Sequence, residues 1–88
     1  MNKQTIIEYM KEQTLKARIG SERVREKVAE IIRNAREQKG WSRYELAKRA
    51  EIGETHLAKI EEGTYAIRVD IFNHLCSTLG IKATFPVS

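Results

Sequence analysis

Five glycines divide this chain into segments of helical length. They stand among its 88 residues as Gly20, Gly40, Gly53, Gly63 and Gly80. Glycine is enriched directly after the last turn of a helix and in the turns that join helices. The spacing therefore predicts a series of helices joined by short turns, that is, an all-α domain.

Apolar residues recur at helical spacing between these glycines. The clearest case is the segment 22–39, whose apolar positions are Val24, Val28, Ile31, Ile32 and Ala35. The same periodicity predicts four further helices, over residues 4–18, 43–50, 54–62 and 69–79. Ser42 and Glu45 have the spacing of a capping box, which supports a helix that begins at residue 43.

The predicted fourth helix, residues 54–62, has a small apolar face. It offers only Leu57 and Ile60 to a core, and its remaining face is polar and not bulky. Two short helices joined by a tight turn and packed on longer helices form a helix-turn-helix. A face of this kind suits insertion into a DNA major groove, which is about 12 Å wide.

The C-terminal segment 81–88 has a different pattern. Its apolar residues alternate with polar ones and lie on one side of a predicted β-strand: Ile81, Ala83, Phe85 and Val87. A single strand cannot satisfy its own backbone hydrogen bonds, and no other segment is predicted as a strand. We therefore expect this strand to pair with its copy in a second chain, which makes the protein a homodimer.

Composition narrows the class of protein. A chain with 41% hydrophobic residues and this length forms one domain with a thin core. The single Cys76 excludes an internal disulfide and fits a reducing compartment. No apolar run reaches the roughly 18 residues of a membrane span, and the N-terminus lacks the layout of a signal peptide. These observations predict a cytoplasmic binding module.

Catalytic and metal chemistry have no candidate in the sequence. The chain has no nucleophile–base arrangement and no glycine-rich loop for phosphates. His74 and Cys76 are two residues apart on a helix and so lie on different faces, which argues against a metal site that also includes His56. We expect no enzyme activity, no cofactor and no bound metal.

Three runs of residues resemble the phage Cro/C1-type helix-turn-helix of the XRE family. They are residues 41–47 (WSRYELA), 50–53 (AEIG) and 57–63 (LAKIEEG). The resemblance covers about residues 22–80 and implies a five-helix, lambda-repressor-like domain that binds double-stranded DNA. We accordingly expect the chain to have three parts: an N-terminal helix extension (1–20), the helix-turn-helix domain (21–80) and the dimerisation strand (81–88).

The resemblance also implies roles for individual residues. Glu54, Thr55 and Lys59 occupy the positions that read bases, and Arg43 meets a phosphate or an outer base edge. Backbone contacts with DNA are expected from His56, Tyr65 and Arg68. Arg36 and Glu61 match a structural ion pair. The sequence departs from the family pattern at Glu51, a turn position that usually has glycine; at Gly53, which usually is Ser or Thr; and at Glu54, which usually is an amide or hydroxyl.

A subtype is indicated by the ends of the chain. The C-terminal strand resembles HipB-like antitoxin-repressors, and the extra N-terminal helix resembles HigA-like antitoxins. This implies a dimeric transcriptional repressor on an inverted repeat, in the cytoplasm at the nucleoid. The alternative is an antitoxin or other module that mainly binds a partner protein, such as a toxin. The N-terminal helix either packs on the domain or its dimer mate, which we favour, or binds a partner through Ile6, Ile7, Tyr9 and Met10.

The positive charge lies mostly outside the helix-turn-helix. The chain carries 16 Lys and Arg against 12 Asp and Glu, a net charge of +4. Residues 41–63 carry four basic and five acidic side chains, whereas residues 1–40 carry ten basic and six acidic ones. Net charge alone is therefore weak support for DNA binding, and the pattern of residues 41–68 carries the prediction.

Overall fold

Five helices form the part of the chain that the structure describes. The computed structural model describes residues 3–82, apart from the side chains at positions 11 and 15. The helices are α1 (Lys3–Lys16), α2 (Glu22–Gln38), α3 (Arg43–Ala50), α4 (Glu54–Glu62) and α5 (Val69–Leu79). The predicted all-α fold with five helices is confirmed, and α1 and α2 end slightly earlier than their apolar patterns predict. No helix within residues 3–82 is long and apolar enough to cross a membrane.

The core lies between α2, α3, α4 and α5. Helix α2 packs on α4 and α5, α3 packs on both of these helices as well, and α1 contacts α5. The largest fully buried apolar side chains come from all four core helices and from the loop before α5: Ile32, Leu46, Leu57, Ile60, Ile67 and Leu75. Burial of such side chains contributes about 1.5–3 kcal/mol each, which makes this shared core the main source of stability.

A short backbone pairing joins the α1–α2 connection to the segment between α4 and α5. The Ile19 N–H donates to the Ile67 carbonyl oxygen at 2.7 Å, and the Val69 N–H donates to the Ala17 carbonyl oxygen at 2.9 Å. These bonds form an isolated antiparallel bridge between Arg18 and Arg68. The sequence gives no sign of it, because two hydrogen bonds need no alternating pattern. The bridge places the α1–α2 connection beside the loop that follows α4.

Helix α1 carries four exposed large apolar side chains. Tyr9 and Met10 are about 60% exposed, and Ile6 and Ile7 are about 40% exposed. Helix α1 contacts α5, which agrees with the favoured packing on its own domain, although Ile6, Ile7, Tyr9 and Met10 stay exposed. Packing on a dimer mate remains a prediction.

The C-terminal segment is described only at its start. Ile81 is half-buried and packs against the core, and its N–H donates to the Cys76 carbonyl oxygen at 2.8 Å. The remaining dimerisation residues, Ala83, Phe85 and Val87, lie outside the described residues. The strand and its dimer therefore remain predictions.

The turn between α3 and α4 contains a strained residue. Helix α3 ends at Glu51, which has a left-handed backbone (φ 57°, ψ 43°). A side chain in this conformation costs roughly 1–2 kcal/mol, and glycine avoids that cost. Helix α4 begins at Glu54 as predicted, although its N-cap, Gly53, has no side chain to bond the first N–H groups. The departure at Glu51 thus strains the turn without moving the helix.

Replacing Glu51 with glycine should raise the free energy of unfolding by about 1 kcal/mol, since it removes the left-handed strain but adds entropy to the unfolded chain. Urea denaturation measures the change. Glu51→Ala is the matched control, because it removes the same charge and keeps a Cβ. Equal effects of the two substitutions would show that charge, and not backbone strain, matters at this turn.

Candidate nucleic-acid interface

Helix α4 has one buried face and one free face. Leu57, Ile60 and Glu61 are buried. Glu54, Thr55 and Lys59 are exposed on the same helix. Three buried side chains on one side are enough to fix a helix of nine residues on α2 and α3, and they leave the other side open. The three predicted base-reading residues thus lie on the open side.

A buried carboxylate ties α4 to α2. Glu61 accepts hydrogen bonds from Arg36 Nε at 2.7 Å and from Arg36 Nη2 at 2.9 Å, a two-pronged ion pair. Arg36 Nη1 also donates to the Trp41 carbonyl oxygen at 2.8 Å. The bond to Glu61 raises the pKa of the Arg36 guanidinium, an effect larger than the opposing effect of burial. The residues predicted as a structural pair are therefore in direct contact.

Arg43 also contacts Glu61. Its Nε donates to Glu61 Oε1 at 3.1 Å, and its side chain is 39% exposed. Because Arg36 already pairs with this carboxylate, Arg43 is the second cation of the cluster. Arg43 thus has one nitrogen turned inward while a large part of its side chain faces solvent at the start of α3. Its contact with DNA remains a prediction.

His56 and Tyr65 pack against each other. Their ring centroids are 4.9 Å apart and the rings are nearly perpendicular. His56 Nε2 is buried, and no described residue offers it a hydrogen bond. His56 therefore lies against the loop after α4 and not on the open face with Thr55, which weakens its predicted role as a direct phosphate contact.

Arg18 is a functional candidate that the sequence does not reveal. Its Nη1 donates to the Tyr65 hydroxyl and to the Ala66 carbonyl oxygen, each at 3.0 Å. Its guanidinium carbon lies 5.5 Å from the centroid of the Tyr65 ring. The two residues are 47 positions apart, and only the basic surplus outside the helix-turn-helix hints that a cation from the N-terminal part reaches this loop.

Arg68 is held by a nearby acid. Its Nη2 lies 2.6 Å from Asp70 Oδ2, and both side chains are more than one third exposed. The atoms Arg68 Nε and Asp70 Oδ1 are buried without a partner in the described chain. Asp70 therefore balances part of the charge of Arg68, whose contact with the DNA backbone remains a prediction.

Cys76 and His74 lie on α5, away from the open face of α4. Burial raises the pKa of the Cys76 thiol to about 11, which keeps it protonated at neutral pH. His74 Nε2 lies 2.8 Å from the Ala50 carbonyl oxygen, a contact between α5 and α3. Within residues 3–82, no three His, Cys, Asp or Glu side chains are grouped so that they could hold a metal ion.

Comparison with known proteins identifies the family. The helix-turn-helix family model HTH_3 matches residues 32–85, more than half of the chain. No curated protein and no solved structure matches the chain significantly. The matched region contains α3 and α4, the turn between them and the Glu61 cluster. HTH_3 is the Cro/C1-type family of DNA-binding regulatory domains and not a family of enzymes. The chain belongs to this HTH_3 family of helix-turn-helix transcriptional regulators.

Proposed function

We propose that this protein is a sequence-specific transcriptional repressor that binds double-stranded DNA as a homodimer on an inverted repeat. The observation that carries the proposal is the open face of α4, where Glu54, Thr55 and Lys59 are exposed on a helix anchored by its opposite face. In a symmetric dimer, two such helices enter successive major grooves about 34 Å apart. A protein of this kind acts in the cytoplasm, at the nucleoid.

The proposed contacts divide into two groups. Glu54, Thr55 and Lys59 read base edges: a lysine ammonium pairs with guanine, and a carboxylate accepts a hydrogen bond from cytosine N4. Backbone phosphates are contacted by Arg43, Tyr65 and Arg68, with His56 as support behind Tyr65. Phosphate contacts fix the register of the protein on the duplex, whereas the α4 residues choose the sequence.

Selection of bound duplexes from random DNA tests the proposal. We expect the selected sequences to converge on an inverted repeat whose half-sites are centred about 10 base pairs apart. A mobility shift with the selected duplex then checks that binding weakens as salt rises. Absence of binding to any selected DNA would refute the repressor function.

The proposed dimer has support at the described end of the C-terminal segment. A shallow groove runs along α2 beside Ile81, and it includes the half-buried apolar side chains of Ile31 and Ala35. Ile81, which lines the groove, directly precedes Lys82, the last residue that the structure describes. The other side chains of the groove are polar or charged: Lys27, Glu30, Asn34 and Gln38. A strand pair formed by two C-terminal segments would lie next to this mixed surface in each copy.

Removal of residues 83–88 should convert the dimer to a monomer, as measured by sedimentation equilibrium. The truncation keeps Ile81 and its contact with the core, so the domain should remain folded and show an unchanged circular dichroism spectrum. Full-length protein with Lys82→Ala serves as a control that alters the same end without removing the strand. A truncated protein that still sediments as a dimer would rule out the strand as the interface.

A second function, binding of a protein partner such as a toxin, is favoured by one observation. On α1, the side chains of Ile6, Ile7, Tyr9 and Met10 are exposed, and Tyr9 and Met10 are the most exposed of the four. Exposed apolar groups grouped on one helix are typical of contact surfaces. Capture of partners from the native host, compared between the wild type and a Tyr9→Glu, Met10→Glu variant, separates this function from DNA binding, which the variant should retain.

A further inference from the structure

We propose that Arg18, which lies outside the region matched by the family model, is a phosphate-contacting residue that extends the DNA interface. The inference rests on the proposed DNA-binding function. It concerns the N-terminal segment, which the helix-turn-helix pattern does not include.

The backbone bridge fixes the position of Arg18. The residues on both sides of it are tied to the loop before α5, through the Ile19–Ile67 and Val69–Ala17 hydrogen bonds. Ile19 and Ile67 are both buried, so the bridge is anchored in the core. Arg18 is therefore held beside the loop after α4 by backbone hydrogen bonds, so its position there does not depend on its own side-chain contacts.

The guanidinium of Arg18 is oriented with part of its donor set unused. Both of its hydrogen bonds, to the Tyr65 hydroxyl and the Ala66 carbonyl oxygen, leave from the same nitrogen, Nη1. The structure records no bond to Nε or Nη2 from residues 3–82, and Arg18 as a whole is exposed. A guanidinium carries five N–H donors, and a phosphate accepts two of them side by side. Arg18 is thus oriented to receive an oxyanion at little entropic cost.

Tyr65 connects Arg18 to the recognition helix. The Tyr65 ring contacts both the Arg18 guanidinium and the His56 ring. His56 is the third residue of α4, so Arg18 lies one aromatic ring away from the first turn of that helix. When a recognition helix enters the major groove with its N-terminal turn, the flanking phosphates come close to that turn. Arg18 is placed to meet one of them.

The surrounding charges favour the same conclusion. Lys16, two residues earlier, is paired with Glu12 at 2.9 Å, whereas no carboxylate of the described chain lies within ion-pair distance of Arg18. The first turn of α4 carries the exposed acid Glu54, and the helix-turn-helix segment as a whole has more acids than bases. An unpaired cation supplied from outside the motif offsets the repulsion between this segment and the DNA backbone.

The test is the salt dependence of binding to the selected duplex, measured by fluorescence anisotropy at several salt concentrations. Removal of one phosphate contact lowers the slope of log affinity against log salt by about 0.9. We expect this change for Arg18→Gln, with an equal loss of affinity for the selected and the scrambled duplex. Arg18→Lys should keep the wild-type slope, because it keeps the charge.

Lys16→Gln is the matched control. It removes the same charge two residues before Arg18, but from a side chain that is already paired with Glu12. Arg18→Met, which keeps an apolar stem on the Tyr65 ring, replaces Arg18→Gln if that variant does not fold. If a charge-removing variant of Arg18 has the same slope of log affinity against log salt as Lys16→Gln, the role of Arg18 is overturned, but the proposed DNA-binding function is not. A wild-type protein that binds no selected DNA would overturn the proposed function and the inference with it.

Discussion

Replacement of Arg36 with alanine is expected to lower the free energy of unfolding by about 3 kcal/mol, because it leaves a buried carboxylate without its main partner. The side chain of Glu61 is completely buried, and Arg36 is only 13% exposed. The substitution removes two charge-assisted hydrogen bonds to Glu61 and the bond to the Trp41 carbonyl oxygen. Arg43 remains 3.1 Å from the carboxylate, which keeps the cost below that of a wholly unpaired charge.

Urea denaturation of matched variants measures this effect. Lys27→Ala is the control, because Lys27 and Glu30 form an ion pair 4.0 Å long whose side chains are mostly in solvent. It should cost less than about 1 kcal/mol. The double variant Arg36→Ala, Glu61→Ala should be more stable than the sum of the two single effects predicts, since each single variant leaves one charge buried. An Arg36→Ala protein as stable as Lys27→Ala would show that the buried pair does not hold α4 in place.

Replacement of Lys59 with alanine is expected to weaken binding to the selected duplex by about 1–3 kcal/mol, roughly 5- to 150-fold. Lys59 is exposed on the open face of α4, and no ion pair to it is found in the described residues. If it reads a base, the loss for a scrambled duplex should be much smaller than the loss for the selected one. Fluorescence anisotropy with both duplexes measures the difference.

Lys59→Ala is a cleaner test of base reading than Arg43→Ala. Arg43 contacts Glu61, so its removal changes the stability of the domain as well as its surface. Lys27→Ala again provides a control with the same loss of charge, on α2 and away from the open face of α4. Equal losses for Lys59→Ala on both duplexes would mean that Lys59 contacts a phosphate and does not read the sequence.

Local signals predict most of the fold. The bounds of α3, α4 and α5 agree with the sequence prediction, because each is marked by a cap or a glycine. The Ser42 hydroxyl oxygen accepts a hydrogen bond from the Glu45 N–H at 3.1 Å, as half of the predicted capping box. The buried face of α4 was also predictable from Leu57 and Ile60, since three or four residues separate neighbours on one helix face.

Contacts between distant segments could not be predicted from the same signals. The bridge at Arg18 consists of two hydrogen bonds and has no repeating pattern. The packing of His56 on Tyr65 depends on the path of the loop after α4, which no local spacing encodes. The sequence left two interpretations open for Ile6, Ile7, Tyr9 and Met10, because an apolar stripe indicates that a face is to be covered, but not by which chain.

The most direct test of DNA recognition by this protein is the affinity ratio between the selected duplex and a scrambled duplex of the same length, measured over a range of salt. We predict a ratio of about 1,000 or more at physiological salt, with affinities for both duplexes that fall as salt rises. The Lys59→Ala variant should lower the ratio and leave the salt slope nearly unchanged. A ratio near one for the wild-type protein, or binding that is indifferent to salt, would contradict sequence-specific DNA binding through α4.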